Sequence, residues 1–597
     1  MKKWRLKSPF GSARQPEIPG LFPQPRTRRL PTAREQALEI AHARLSFVML
    51  MFALAWCVLG GRLSYLTLFN GSAPEPSVSS ASDGPVHRAD ITDRNGVVLA
   101  TSLPTTSLCA DSKAIQNPDE AAQGLRRVLP DLDSKKLQED LRGGKHCAMI
   151  KRHLTPRQTY EVNKLGIAGL EFLPDERRVY PSGAVAAHIV GYTDIDNEGI
   201  AGVEKSMGDV LSDTPNPLAL ALDLRVQTIL RQGLMEAIAT YHAQAGAGLV
   251  MDITTGEILS LVSLPDFDPD HPGSATDDQR FNRATLGVYE MGSTFKIFNT
   301  ALALDSGLIH VSDRFDAVHP LIIGHHKIRD FDKEDHALNV AEVFTHSSNL
   351  GSARMAEVFG GTRQRAFFTR LGLTEKIPLE IPEIGAPLMP SEKNWTEATT
   401  LTAAFGHGVA VNALQLAGAV ATVVHDGVPV HPTLLRRTEP PQAESPVISP
   451  RTSAMVRGLM RLVVTRGTAK KADVVGYLVG GKTGTAQKLV GGHYAEHARL
   501  SSFIGLFPIH APRYLVFAML DDPKGNAQTA GFATGGWVSA PIVNRTISEM
   551  APLLGMPPLT KEKEREAEQQ ILKPLGDIEV DGVPVSTIQD PRGGAIQ

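Results

Sequence analysis

The sequence predicts a multidomain α/β protein with a single N-terminal transmembrane helix, a mixed α+β domain and a larger α/β domain. Three observations predict it. The chain has 597 residues, too many for one compact core. Leu45 to Gly61 is a run of 17 uncharged residues, and ten Lys or Arg against three acids precede it. Beyond that run, strand–turn–strand patterns alternate with apolar helical stretches.

The elements follow in chain order. Residues 1–44 are rich in Pro and Arg and predict a disordered basic tail. Residues 45–69 predict the membrane helix: LSFVMLMFALAWCVLGG, then Arg62, then LSYLTLF. A span needs about 20 apolar residues, and Arg62 near its end can extend its guanidinium to the headgroups. A cleaved signal peptide is the competing reading, but 44 residues before a core this long fit a retained anchor better. The basic residues place the N-terminus in the cytoplasm and everything after residue 70 outside it. That compartment permits disulfides, so Cys109 and Cys147 either pair or stay as two buried thiols.

Residues 70–85, NGSAPEPSVSSASDGP, read as a linker. The mixed domain, 86–235, opens with VHRADITDRNGVVLATS, a hairpin pattern with Asn95-Gly96 as its turn. Leu224 to Tyr241 has helical periodicity. In 236–555, GAGLVMDITTGEILSLVSL reads as two strands around Thr254-Thr255-Gly256, and Phe295 to Leu304 as a buried helix. Residues 556–597 predict a short surface helix and a loose tail.

Chemistry concentrates in three places. Ser293-Thr294-Phe295-Lys296 puts a serine and a lysine three apart, on one helical face. Ile297, Phe298, Ala301 and Leu302 make that helix apolar, which desolvates Lys296, lowers its pKa and suits it to act as a base. Ser347-Ser348-Asn349 follows about fifty residues on. By itself it is a capped turn at a helix start. Lys482-Thr483-Gly484-Thr485 lies between the β-rich segment Val474–Val479 and a run toward Leu489. Gly476 to Thr483 also fits the phosphate-loop expression G-x-x-x-x-G-K-[ST]. That loop must open a helix, and a β-like run follows here instead.

The ordered set Ser-x-x-Lys, Ser-x-Asn, Lys-Thr-Gly is far more specific than any member of it. The chain resembles a class B penicillin-binding protein of the cell-division transpeptidase type. Further segments carry the likeness: His87 to Gly96, Arg178-Val179-Tyr180-Pro181, Gly191-Tyr192, Gly199 to Glu204, Phe405-Gly406-His407-Gly408 with Leu414-Gln415, and Gly535 to Pro541. Ser-Ser-Asn and Lys-Thr-Gly-Thr favour the division type over the elongation type. Met291 and Asn412 depart from the family pattern, where proline and threonine are usual, and removal of neither pattern residue takes away a reacting group.

The resemblance implies a pedestal (dimerisation-like) domain at 86–235. It implies a penicillin-binding, serine β-lactamase-like transpeptidase domain at 236–555, with a central antiparallel sheet flanked by helices. It implies acyl transfer by Ser293, with Lys296, Ser347, Asn349 and Lys482 catalytic, and Thr483, Gly484 and Thr485 binding substrate. The substrates are peptidoglycan stem pentapeptides on lipid-linked nascent glycan, and β-lactam antibiotics acylate the same serine. The implied partners are a membrane glycosyltransferase and other division proteins. A β-lactamase or β-lactam sensor shares the three motifs, but a pedestal of about 150 residues does not suit a lactamase. No cofactor is implied, and no His or Cys cluster has metal-ligand spacing. A net charge of -3 gives no basis for nucleic-acid binding. His325-His326 reads as a loop pair, and Arg178 as an ion-pair residue or a partner contact.

Overall fold

The computed structural model describes residue 44 and residues 46–60, 88–323, 326–490 and 493–587. The chain forms two units, Met1–Gly84 and Pro85–Gln597. In the first, residues 46–60 are helical, with Phe47, Phe52 and Trp56 exposed. Among the described residues no helix is long and apolar enough to cross a membrane. The expected span 45–69 lies partly outside the described residues, as do the linker 70–85 and the tail except for Arg44.

The second unit begins with a five-stranded sheet of β1 (Ile91–Thr92), β2 (Val98–Ala110), β3 (Ala148–Leu154), β4 (Leu170–Val179) and β5 (Leu218–Ala219). β1 and β2 form the expected hairpin. Asp93 Oδ1 accepts the backbone N–H of Asn95 at 2.7 Å and of Val97 at 2.9 Å, and Gly96 takes φ +83°. Helices α1 (Pro118–Val128), α2 (Ser134–Arg142) and α3 (Pro156–Asn163) bury Leu125, Leu137, Leu141 and Val162 around Leu108 of β2. Cys109 and Cys147 are joined as a disulfide, so of the two alternatives the bonded one holds.

Three segments of the family resemblance meet beneath this head. Arg178 Nε lies 2.7 Å from Glu204 Oε1, and Arg88 Nε lies 2.6 Å from Glu204 Oε2. All three side chains are buried. Arg178 is thus an ion-pair residue that ties β4 to the loop and short helix carrying Glu204.

Helix α4 spans Leu224–Tyr241, the predicted range, with Asp223 as its N-cap. It packs on the central sheet, built from β6 (Ala245–Asp252), β7 (Ile258–Leu264), β8 (Gly480–Val490), β9 (His493–Phe507) and β10 (Tyr514–Asp521). The strand order is β8-β9-β10-β6-β7, antiparallel throughout. Gly248 on β6 lets α4 approach closely: a Cβ there would lie 3.1 Å from methyl groups of Leu230 and Leu234.

Helices α5 (Lys296–Asp305), α6 (Asn349–Arg370), α7 (Ala413–Val424), α8 (Pro450–Thr465) and α9 (Ala540–Leu553) complete the domain. α7, α8 and α9 pack on the sheet, and α5 packs on α6, α7 and α8. Asn412 caps α7 in a capping box with Gln415, so the residue that departs from the family pattern still serves as a cap.

Two expectations need correction. Val474–Val479 is turn and irregular chain, and the strand begins only at Gly480. Leu478 and Val479 are buried by packing, which gave that segment the look of a strand. The expected surface helix of the C-terminal segment has one buried face, and residues 588–597 of the expected loose tail lie outside the described residues. The helix, α10 (Lys561–Leu572), buries Ala567, Glu568, Ile571 and Leu572 against α8. Arg461 of α8, fully buried, reaches Glu568 Oε1 at 2.9 Å and Asp473 Oδ1 at 2.6 Å. A hairpin, β11 (Glu579–Val580) and β12 (Val583–Pro584), follows around Asp581-Gly582. Asp-Gly between apolar residues is a hairpin signal, and it marks this turn in the sequence.

Candidate active site

Ser293 lies in a 3-10 turn, Gly292–Phe295, that runs directly into α5. Side chains three apart eclipse in a 3-10 turn, so Ser293 and Lys296 align more closely than on an α-helix. The Ser293 Oγ to Lys296 Nζ distance is 3.0 Å. Gly292 has φ +56°, and a Cβ there would lie 2.8 Å from the Thr485 carbonyl oxygen. Glycine is therefore required both by the backbone angle and by the approach of β8.

The second motif lies where two helices meet. Ser347 has φ +64°, a left-handed conformation sparsely populated by non-glycine residues and common at active sites. Ser348 caps α6, its Oγ accepting the Gly351 N–H at 2.9 Å. The plain structural reading of this motif is therefore true of Ser348, while its neighbours face the lysine. Lys296 Nζ lies 2.8 Å from Asn349 Oδ1 and 3.1 Å from Ser347 Oγ, and also donates to the Ser347 carbonyl. Asp330, which no sequence pattern singles out, accepts from Ser348 Oγ and from the backbone N–H of Asn349 and Leu350. A carboxylate there complements the positive end of α6.

The third motif is on β8, inside one continuous strand. The phosphate-loop expression has no helix to open, so its structural requirement fails. Lys482 Nζ reaches Ser347 Oγ at 2.9 Å and lies 5.8 Å from the centre of the Phe344 ring. Thr483 Oγ1 pairs with Thr468 Oγ1 at 2.9 Å, and Thr485 Oγ1 accepts the Gly535 N–H at 3.2 Å. Gly484 is buried between β9 and the Ser293 turn, where a Cβ would lie 2.8 Å from the Met291 carbonyl oxygen.

Both lysines are fully buried. Burial holds Lys296 well below its ordinary pKa, and the Lys482 charge lowers it further, against a smaller pull from Asp330. Burial brings Lys482 to about 7. Two ammonium groups flanking one hydroxyl cannot both stay charged cheaply, so burial and their mutual repulsion favour loss of a proton from the pair. A neutral amine has two donors and one lone pair. With its donors on Asn349 Oδ1 and the Ser347 carbonyl, a neutral Lys296 has a lone pair for the hydroxyl of Ser293 or of Ser347, 3.0 and 3.1 Å away.

Glu290, three residues before Ser293, likewise belongs to no motif. It accepts the Gly408 N–H at 2.9 Å and the Tyr494 hydroxyl at 3.0 Å, and lies 3.0 Å from His407 Nδ1. Burial would raise its pKa, but the His407 and Gly408 contacts hold it below the ordinary value. Gly406, with φ +77°, packs on Gly292: a Cβ would lie 2.8 Å from the Gly292 nitrogen. The segment Phe405–Gly408 thus buttresses the serine turn. Met291 is buried, and its carbonyl accepts the Thr294 hydroxyl at 2.9 Å. His326 begins a short strand, His326–Ile328, and His325 lies outside the described residues. Among the described residues no group of His, Cys, Asp and Glu could hold a metal ion.

Known proteins resemble the chain over both of its larger domains. Residues 246–548 match the family described as penicillin binding protein transpeptidase domain, and residues 83–212 match the penicillin-binding protein dimerisation domain. The chain is 38% identical over 531 residues to a probable peptidoglycan D,D-transpeptidase FtsI of Caulobacter vibrioides, covering 86% of this chain and 89% of that protein. It is 33% identical to a probable peptidoglycan D,D-transpeptidase PenA of Neisseria meningitidis, covering 87% and 94%. The fold is similar to penicillin binding protein 3 of Mycobacterium tuberculosis in complex with aztreonam, with a TM-score of 0.64 at 24% identity, covering 80% of this chain and 98% of that one. With both domains matched in order and most of two curated relatives covered, the chain belongs to the class B penicillin-binding protein family, the serine peptidoglycan D,D-transpeptidases.

Proposed function

We propose that the chain is a septal D,D-transpeptidase that cross-links peptidoglycan stem peptides through a Ser293 acyl-enzyme, releases D-alanine and is inactivated by β-lactams. The observation that carries the reading is the buried Lys296 amine. It lies 3.0 Å from Ser293 Oγ and 2.8 Å from Asn349 Oδ1, with Lys482 beyond Ser347.

Neutral Lys296 takes the Ser293 proton as Oγ attacks the carbonyl of the penultimate D-alanine. The backbone N–H groups of Ser293 and Thr485 form the oxyanion hole, each worth about 2.7–4 kcal/mol in the barrier. Ser347, in reach of both lysines, relays a proton to the departing D-alanine nitrogen. Asn349 orients Lys296 and the substrate amide. Lys482 keeps Lys296 neutral, and Thr483 and Thr485 bind the terminal carboxylate across the glycine gap at Gly484. An amine from a neighbouring stem then attacks the ester and regenerates Ser293.

The septal assignment draws on the relatives named FtsI and PenA and on the Ser-Ser-Asn and Lys-Thr-Gly-Thr motifs. The uncharged run from Leu45 and the basic residues before it support a single membrane anchor, with the N-terminus cytoplasmic and the catalytic domain periplasmic. Nascent lipid-linked glycan and a membrane glycosyltransferase are then the partners that the anchored enzyme meets. Fluorescent penicillin tests the chemistry: the wild type carries a lasting label at residue 293, and Ser293→Ala carries none. Equal labelling of the variant, or prompt release of hydrolysed drug from the wild type, sinks the reading.

A further inference from the structure

The C-terminal hairpin touches both sides of the site from behind. Asp581, in its turn, lies 2.9 Å from His346 Nε2, while Glu334 lies 3.0 Å from His346 Nδ1. His346 directly precedes Ser347, the residue held at φ +64°. Asn339 Nδ2 donates to the Glu579 carbonyl at 2.8 Å, so the helix leading to Ser347 is tied to the hairpin at both ends. On the other side, Arg466 donates to the carbonyls of Val583 at 3.0 Å, Pro584 at 2.8 Å and Thr587 at 2.6 Å. Two residues after Arg466, Thr468 pairs with Thr483 of the third motif.

We infer that the hairpin Glu579–Pro584 is a clamp that positions the second and third motifs, with His346 and Asp581 as its positioning residues. This rests on the transpeptidase reading above. Ser347 is held in a strained backbone conformation, with φ +64°. A left-handed serine persists only when its neighbours over-determine it. Asp330 holds the downstream side through Ser348 and Asn349, and His346, gripped between two carboxylates, holds the upstream side. Loosening His346 lets Ser347 relax and move its hydroxyl from both lysines.

The clamp is sensitive to pH. Burial alone would depress the His346 pKa, but Asp581 and Glu334 overcome it and hold His346 above its ordinary value. The other charged groups around this contact include Glu342, one turn back on the same helix and accepting the Asp581 N–H at 3.3 Å, Arg314, 3.6 Å from Glu342, His336, whose pKa Asp335, Glu342 and Glu334 raise, and Arg466 on the hairpin's other side. The pair is charged below the ordinary histidine pKa and is lost as pH rises through the elevated one.

The test uses the full chain and the second-order acylation rate with fluorescent penicillin, measured across the pH range. At about pH 6, Asp581→Asn is slower than wild type by roughly tenfold, and the gap closes to less than about twofold near pH 9, where His346 is neutral in both. His346→Gln gives the same slowing at low pH, and the double variant is no slower than either single one. Asp577→Asn makes the same charge change on an exposed residue of the same segment and leaves the rate at the wild-type value. Equal rates for Asp581→Asn and wild type, or a slowing by one factor at every pH, overturn the clamp. If Asp581→Asn does not fold, a wild-type rate in His346→Gln overturns it as well. A wild-type chain that takes no label overturns the enzymatic reading itself, which an indifferent Asp581→Asn does not.

Discussion

Two buried clusters of positive charge lie in this molecule, and they are handled in opposite ways. In the pedestal, the guanidinium groups of Arg88 and Arg178 share the buried carboxylate of Glu204. In the active site, Lys296 and Lys482 share the hydroxyl of Ser347, and among the described residues neither forms an ion pair. Guanidinium groups keep their protons in proteins, so burying two of them demands a carboxylate. Amines can release a proton, so burying two without a partner neutralises one. The pedestal cluster holds segments together. The cluster at the candidate site holds a lysine below its ordinary pKa.

Four experiments test that contrast. The largest effect is expected at Lys296. Lys296→Arg keeps the charge but cannot act as a base, so acylation falls by about 10³-fold, within the range for a lost general base. A fluorescent penicillin time course measures it, and an active arginine variant removes the deprotonation argument. Next is Glu204→Ala, which strands two buried guanidinium groups and costs about 3–5 kcal/mol in denaturant unfolding. Stability unchanged by that substitution would mean that the pedestal cluster carries no structural load.

Lys482→Ala follows. Removing a nearby positive charge favours the protonated form of Lys296, so its pKa rises. The acid limb of the acylation profile moves to higher pH, and part of the lost rate returns under alkaline conditions. A limb that stays in place assigns Lys482 to substrate binding alone. The smallest effect is Asp330→Asn. It removes a carboxylate that pulls the Lys296 pKa up, so the acid limb moves the other way, to lower pH. It also weakens the start of α6 by about 1 kcal/mol, as loss of a cap does. Opposite shifts for Lys482→Ala and Asp330→Asn confirm that Lys296 titrates in the field of both.

Much of the site is legible in the sequence because the reacting groups come in short motifs of fixed order. Ser293, Lys296, Ser347, Asn349 and Lys482 meet as that order implies, across 190 positions of chain. Asp330 and Glu290 carry no such mark. Each acts through a long-range contact, to the cap of α6 and to the His407 and Tyr494 segments, and no local spacing encodes such a contact. Val474–Val479 misled because burial alone makes a segment apolar, whether it is strand or turn. The C-terminal helix looked exposed because KEKEREAEQQ is charged, yet Glu568 is buried against Arg461. A charge run says nothing about which of its members finds a partner.

The hairpin at Asn95-Gly96, the helix Leu224–Tyr241 and the three motifs whose side chains meet in the site were all readable from the sequence alone. These depend on turn chemistry, on periodicity and on motif order, all of which are local. Only the tertiary structure decided the left-handed Ser347, the desolvation of Lys296 and Lys482, the Cys109–Cys147 bond and the seating of the C-terminal hairpin behind the second motif. Each of these depends on what a residue is packed against, and packing is a property of segments far apart in the chain.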